Sequence, residues 1–331
     1  MLKIGILGCG YMGEMHYNCY KNIEGVKVTA IACAKREEAD KLCPPSDTEI
    51  YTDAAELIEK ADVDAIDICL PTFLHTKFGK MAMEKVKYVF IEKPVALTLD
   101  EGRELSAKAK ETGCQVQVGQ VIRFWDEYVA LSKIVEEKKY GEIVNADFYR
   151  LSPRPLWGQN NWMTNSKLSG GAAQDLHIHD IDYILSVFGK PEKVFSVKNT
   201  LEENNSYIST LLQYKTFPVT VEGSWNLPVS FPFSAGFRIR FMNAAVEYKD
   251  GKVTCYDDNG SSEIKIEKET LAGNVTSGNI SDLGGYYNEL VYFTSRAKAG
   301  KPIEKAKLSD AVDSLAFLLD ELKIADESQA F

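Results

Sequence analysis

The stretch Lys3-Ile4-Gly5-Ile6-Leu7-Gly8-Cys9-Gly10-Tyr11-Met12-Gly13 decides the fold. An apolar run, Leu2–Leu7, ends in glycines spaced G-x-G-x-x-G, and a helical pattern over Met12–Asn22 follows at once. In that setting each glycine has its own duty. The first permits a tight turn, the second lets a pyrophosphate approach the backbone, and the third lets the helix lie close against the strand. Free N–H groups and the helix dipole then favour negative phosphate. A glycine-rich turn without a ligand is the plain alternative, but the strand before and the helix after favour the first reading. Gly8, Gly10, Tyr11, Met12 and Gly13 are therefore the expected dinucleotide cradle.

Outward from this turn the chain alternates. Short apolar runs at Val26–Cys33, Ala65–Leu70, Tyr88–Ile91 and Gln115–Val118 read as buried parallel strands. Helical patterns lie between them, at Glu37–Leu42, Ala54–Lys60, His75–Lys85 and Leu99–Thr112. Such alternation predicts a doubly wound α/β layer, followed by a helix over Trp125–Lys138. From about Tyr140 the period changes to two. Val219, Val221, Gly223 and Trp225 alternate with Thr220, Glu222 and Ser224, and Phe237, Ile239 and Phe241 with Arg238 and Arg240. This pattern predicts a half-buried, largely antiparallel sheet. Helical stretches at Leu283–Ala299 and Leu308–Ile324 close the chain, and Ser152–Ser169, rich in Pro, Trp, Asn and Gly, reads as a long loop. The expected organisation is an α/β dinucleotide-binding domain over 1–120 and an α+β domain over 121–331.

Composition narrows the function. The chain has 331 residues, 45% hydrophobic and 26% charged, with 38 basic against 48 acidic side chains and a net charge of −10. These values exclude general disorder and argue against an extended nucleic-acid surface. No apolar run approaches membrane length, and no signal-peptide pattern opens the chain. The seven cysteines are odd in number and show no C-x-x-C spacing, so neither a disulfide framework nor a zinc ribbon is expected. With four histidines and no H-E-x-x-H, no metal site is expected. The reading is a reduced, cytoplasmic protein.

The second strand bears on the cofactor. An NAD site usually has an acid about 20 residues beyond the glycine loop, on the ribose 2′-OH. Here the strand ends Ala32-Cys33-Ala34-Lys35-Arg36, with no acid from Gly25 to Arg36. Two cations stand where a 2′-phosphate would lie, so Ala34, Lys35 and Arg36 lean the expectation within NAD(P) toward NADP. Both cations could equally be solvated residues opening the next helix.

Ligands of open α/β sheets sit beyond the carboxyl ends of the strands. That adds Leu70, Pro71, Thr72 and His75, then Glu92 and Lys93, then Gln120, to the expected cofactor contacts. The Lys93 ammonium could donate to a substrate hydroxyl and steady a developing alkoxide, or simply leave the strand for solvent. In the helical stretch Ala172–Phe188, Asp175, His179, Asp182 and Ser186 fall on one stripe at about 100° per residue. His179 could serve as a general base, with Asp175 one turn earlier orienting it or holding substrate; a satisfied core His–Asp pair is the alternative. His16 reads as structural.

Together GCGYMG at 8–13, PTFLH at 71–75, EKP at 92–94, VGQVIRF at 118–124 and SGGAAQDLHIHDID at 169–182 resemble the glucose–fructose oxidoreductase/inositol dehydrogenase/MocA (Gfo/Idh/MocA) family, over essentially the full chain. The resemblance implies a Rossmann domain, an α+β domain with an open sheet used for homodimer or homotetramer contacts, and NAD(P)-dependent chemistry on a sugar, inositol or related polyol. It further implies that Lys93, Asp175 and His179 are the catalytic constellation. Departures from the family pattern are Ser169 before the glycine pair, Gln120 where His or Asn is common, and Ala34 in place of an acid. Arg123, Asn160, Trp162 and Tyr286 are substrate candidates by location alone. A redox-neutral glycosidase that retains its nicotinamide and a non-catalytic ligand sensor are the rival readings.

Overall fold

The computed structural model describes residues 1–43, 48–155, 159–199, 206–266 and 283–328, with the backbone alone at 159–161. Strands β1 Leu2–Leu7, β2 Val26–Ala32, β3 Glu49–Tyr51, β4 Ala65–Ile68, β5 Tyr88–Ile91 and β6 Gln115–Val118 alternate with helices α1 Tyr11–Tyr20, α2 Arg36–Leu42, α3 Ala54–Lys60, α4 His75–Lys85 and α5 Leu99–Thr112. Then come α6 Asp126–Glu136, β7 Ile143–Pro153, α7 Ser166–Ser169, α8 Ile178–Phe188, and β8 Lys193–Lys198, β9 Tyr207–Gln213, β10 Pro218–Leu227, β11 Ser234–Phe241, β12 Ala245–Lys249, β13 Lys252–Asp257 and β14 Gly260–Glu263. Two helices follow, α9 Gly284–Ala299 and α10 Leu308–Ser328.

Two compact units result: 1–124 with 269–313, and 125–268 with 314–331. The division is not the single cut near 120 that the change of period suggests. Helix α9 belongs to the first unit because its apolar face is satisfied there. Leu290 and Phe293 are closed to solvent, Phe293 meets Phe90 of β5 edge-on at 5.5 Å, and Gln117 of β6 donates to the Glu289 carbonyl at 3.2 Å.

In the first unit all six strands are parallel, in the order β3-β2-β1-β4-β5-β6. The order reverses between β1 and β4, which is where such sheets open a crevice for ligands. Apolar runs here are buried on both faces, as parallel sheets require: Ile4, Ile6, Ile66, Ile68, Val89, Phe90 and Ile91 have no exposure. The strand β3, only three residues with one buried, carried too short an apolar signal to be expected. Helix α5 opens with a capping box, Thr98 and Glu101 satisfying each other's backbone N–H groups.

The second unit is built on an eight-stranded sheet ordered β14-β13-β12-β11-β7-β10-β9-β8. Only β7 and β10 pair in parallel; the other neighbours are antiparallel. One face follows the period of two, with Val219, Val221, Trp225, Phe237, Ile239 and Phe241 buried. Helices α6 and α8 cover it through aromatic edges: Tyr128 lies 4.9 Å from Tyr183 and 5.2 Å from Phe237. The expected loop at 152–169 holds a 3-10 turn, Gln159–Thr164, and the short α7. The expected helix over 172–188 is in two parts, a π-helical turn Ala173–His177 and then α8.

The cysteines depart from expectation at one pair. Cys19, Cys43, Cys69, Cys114 and Cys255 are buried outside any disulfide, but Cys9 and Cys33 are joined as a disulfide across a Cα–Cα distance of 5.5 Å. Their separation of 24 residues hides a close approach, since one follows β1 and the other follows its parallel neighbour β2.

Candidate active site

Two of the three glycines of the turn are held by close packing and the third faces open space. Gly8 sits at φ +102°, and a Cβ there would come within 2.6 Å of the Cys69 carbonyl oxygen. A Cβ on Gly13 would lie 2.0 Å from the Gly8 carbonyl oxygen, so α1 crosses β1 too closely for any side chain. Gly10, the exposed N-cap of α1, has nothing within 4 Å of its Cβ position. That open face, with the first N–H groups of α1 beside it, is a cradle fit for a pyrophosphate. Tyr11 and Met12 begin the helix.

Ala34, Lys35 and Arg36 are exposed at the end of β2. Lys35 Nζ is 3.4 Å from Glu38, and Arg36 Nε is 3.9 Å from Asp40. These are weak surface pairs that a ligand phosphate could displace.

Beyond β4, Leu70 and Pro71 lead into a 3-10 turn, Thr72–Leu74, and on to His75. The His75 ring is buried between two carbonyl oxygens, Leu70 at 2.7 Å and Pro94 at 2.9 Å. It thus ties the segment after β4 to the segment after β5. Burial pulls its pKa below the ordinary value despite both contacts, and a neutral ring can donate to only one of them at a time. Lys93 lies one residue past Glu92 at the carboxyl end of β5 and is half-buried. Its backbone N–H donates to the Glu92 side chain at 3.1 Å.

Under this corner Glu92, an expected cofactor contact, joins a buried cluster whose other members were not expected at the site. His16 of α1 places Nδ1 2.8 Å from Asp67 Oδ2 and Nε2 3.1 Å from Glu92 Oε1. Tyr20 also donates to Asp67, at 2.9 Å. Glu289 of α9 completes the group: His16, Glu92 and Glu289 each present a ligand atom within 4.8 Å of the others, an arrangement that could also hold a cation. All four charged side chains are buried. Burial opposes charge on His16, but Asp67 and then Cys69 outweigh it and hold its pKa well above the ordinary value. Burial and the Glu92 charge push Glu289 well above the carboxylate range. The imidazolium is thus the internal counter-ion for carboxylates that would otherwise be uncompensated. The sequence signal was faint: a single glutamate in the apolar face of α9, and a histidine on α1 too far from its partners in sequence to be matched with them.

Gln120 is buried just past β6, its Oε1 without a hydrogen-bond partner in the described chain. Arg123 is engaged with Asp310 at 3.0 Å. Tyr286 is buried on α9 with its ring 6.5 Å from that of His16. Trp162 is half-buried in the 3-10 turn, and the Asn160 side chain lies outside the described residues.

In the second unit, Asp175 stands in the π turn and His179 in the first turn of α8. From Ser169 to Ile184 every residue is buried except Asp175. The stripe drawn at a constant 100° per residue does not face one cavity. The π turn adds a residue to one turn. Asp182 accepts from Ser314 of α10 at 2.8 Å, and exposed Ser186 donates back to the Tyr183 carbonyl at 2.7 Å. Neighbours that the stripe omitted are paired in the core. Asp180 receives both Arg150 Nε, at 2.9 Å, and Nη2, at 3.1 Å, and His177 Nε2 lies 3.5 Å from Glu321. A Cβ on Gly223 of β10 would come within 2.6 Å of His177 Cβ, so the π turn rests directly on the sheet.

Comparison with known proteins agrees with this architecture. Residues 2–120 match the family model described as the oxidoreductase family, NAD-binding Rossmann fold (GFO_IDH_MocA), and residues 128–245 match the GFO/IDH/MocA C-terminal domain. The chain belongs to the Gfo/Idh/MocA oxidoreductase family. Similar curated proteins include the uncharacterized oxidoreductase YrbE of Bacillus subtilis, 31% identical over 61% of this chain and 58% of that protein. The NADP(+)-dependent scyllo-inositol 2-dehydrogenase IolW of the same organism is 25% identical over 70% and 65%. The inositol 2-dehydrogenase of Rhizobium meliloti is 27% identical over 57% and 56%. In each case the match spans less than two thirds of the relative's own length. Among solved structures, a putative myo-inositol dehydrogenase from Sinorhizobium meliloti shares the fold with a TM-score of 0.80 at 20% identity, covering 99% of this chain and 98% of that one.

Proposed function

We propose that this protein is an NAD(P)-dependent dehydrogenase that moves a hydride between nicotinamide and a secondary alcohol or carbonyl of a sugar, inositol or related polyol. The observation that carries the reading is Lys93 at the carboxyl end of β5, in the same parallel layer as a glycine cradle open only at Gly10. Relatives named as inositol dehydrogenases support the substrate class. The bound dinucleotide supplies hydride-transfer chemistry. Lys93 donates to the reacting oxygen and steadies the charge that develops on it. His179 takes the hydroxyl proton in oxidation and returns it in reduction. Asp175, the one residue of its segment that is not buried, fixes the geometry of substrate and imidazole. Leu70, Pro71, Thr72, His75, Glu92 and Gln120 line the nicotinamide half of the cofactor in this reading, and Lys35 and Arg36 favour the 2′-phosphate of NADP.

The outer face of the second sheet supports a homo-oligomer. Phe195 on β8 pairs with Leu211 on β9, and with Val197 they leave apolar side chains exposed. No helix of the described residues is long and apolar enough to cross a membrane.

The test is a panel of sugars and polyols followed by reduced-nicotinamide absorbance, with NAD and NADP in parallel. Turnover of a cyclic polyol or hexose with net nicotinamide reduction supports the proposal. Turnover with no net change would replace it with a redox-neutral reaction, and ligand binding without turnover with a sensor.

A further inference from the structure

Cys9 and Cys33 occupy two edges of the dinucleotide site. Cys9 lies between Gly8 and Gly10 of the cradle, and Cys33 immediately precedes Ala34. Cys33 and the five cysteines outside the disulfide are buried, whereas Cys9 is partly open to solvent. It also sits just before the N-cap of α1, where the helix dipole favours a thiolate. Cys33 has the opposite setting: it is closed to solvent, with Glu38 Oε2 3.9 Å from its sulfur. The two settings give the pair separate roles, Cys9 as the thiol that meets an oxidant and Cys33 as the thiol that answers it.

We propose that Cys9 and Cys33 form a reversible oxidation site that preserves the cofactor cradle, with Cys33 as the resolving thiol. The oxidant is a hydroperoxide, ROOH. The Cys9 thiolate attacks the terminal peroxide oxygen, the O–O bond breaks, ROH leaves, and Cys9 becomes a sulfenic acid. The Cys33 sulfur then attacks the Cys9 sulfur, the S–OH bond breaks, and water leaves with the Cys33 proton. The sum is two thiols and ROOH giving one disulfide, ROH and H2O, and a dithiol reductant restores both thiols. Without Cys33, further peroxide would carry Cys9 to sulfinate, which thiols do not reverse. A fixed negative charge would then sit between the glycines that receive pyrophosphate, where like charge opposes binding. The disulfide is neutral, and in the disulfide-bonded chain Gly10 still has open space before it. The inference rests on the reading of residues 8–13 as the dinucleotide cradle.

The experiment uses the full chain and Cys33→Ser, each reduced, treated with hydrogen peroxide, and returned to dithiothreitol. Titration of the reduced proteins with NAD+ and NADP+ comes first. If neither binds, the cofactor reading fails, separately from the redox one. In the wild-type chain, peptide mapping should find a Cys9–Cys33 cross-link that dithiothreitol removes, with dinucleotide affinity restored in full. In Cys33→Ser, Cys9 should pass through a dimedone-trappable sulfenic acid to sulfinate. Its affinity should then fall about tenfold or more and not recover. Cys33→Ala replaces Cys33→Ser if the serine protein does not fold. No cross-linked peptide, or equal recovery of variant and wild type, overturns the proposal.

Discussion

His16 Nδ1 lies 2.8 Å from Asp67 Oδ2, with both side chains wholly closed to solvent. The contact joins α1 to β4 directly behind the glycine turn. Replacing His16 with Leu would leave Asp67 and Glu92 buried without their counter-ion. The expected loss is about 3–5 kcal/mol of unfolding free energy, read from urea midpoints at neutral pH. A loss below ~1 kcal/mol would show that the carboxylates are neutralised some other way.

The same cluster makes stability depend on pH with a definite sign. Both His16 and Glu289 are raised above their ordinary values of 6.5 and 4.5. Each therefore contributes stability that is complete below its unfolded value and is lost as pH rises through its folded one. The wild-type unfolding free energy should fall as pH rises above the ordinary histidine value of 6.5. Glu289→Gln, which mimics the protonated acid, should flatten that fall by up to about 1.4 kcal/mol per pH unit. An unchanged slope would refute protonation of Glu289 in the folded chain.

Gly223→Ala tests the seat of the π turn. The new methyl would meet His177 Cβ at 2.6 Å, and neither the strand nor the helical turn is free to yield. Overpacking should cost about 1–3 kcal/mol. By shifting the turn that carries Asp175, it should lower turnover while leaving dinucleotide affinity in the first unit unchanged. Normal turnover would show that Asp175 is not needed in that position.

Lys93→Met should reduce kcat by two or more orders of magnitude, roughly the worth of one charge-stabilising donor, with dinucleotide binding retained. His179→Ala should do likewise and remove the limb of the kcat–pH profile that an imidazole titration produces. Normal turnover by either variant removes that residue from the mechanism.

Ala34→Asp combined with Lys35→Gln and Arg36→Gln should move preference from NADP to NAD, since an acid there would accept from the ribose 2′-OH and repel a 2′-phosphate. The ratio of kcat/KM for the two cofactors is the measure. A ratio that does not move shows that the end of β2 is not the discriminating contact.

Much of this was legible in the chain because it rests on local chemistry. The glycine spacing 8–13, the mainly apolar runs of β1, β4 and β5, and the period of two in β10 and β11 each follow from backbone geometry over fewer than a dozen residues. Non-local pairing was not legible. His16 meets Asp67 and Glu92 across elements far apart in sequence, and Arg150 of β7 meets Asp180 of α8 in the same way. Helix α9 was visible as a helix, but nothing local tells which unit it joins. The stripe through Asp175 and Asp182 assumed a regular α-helix, and the π turn broke that assumption.

One consequence concerns how the activity could be altered. Between Ser169 and Ile184 every residue but Asp175 is buried, so fifteen of these sixteen positions are constrained by packing. Random substitution along the segment would mostly yield unfolded protein and would explore little new chemistry. Under the proposed function, a library built to change substrate choice should therefore hold the fifteen buried positions fixed and vary Asp175.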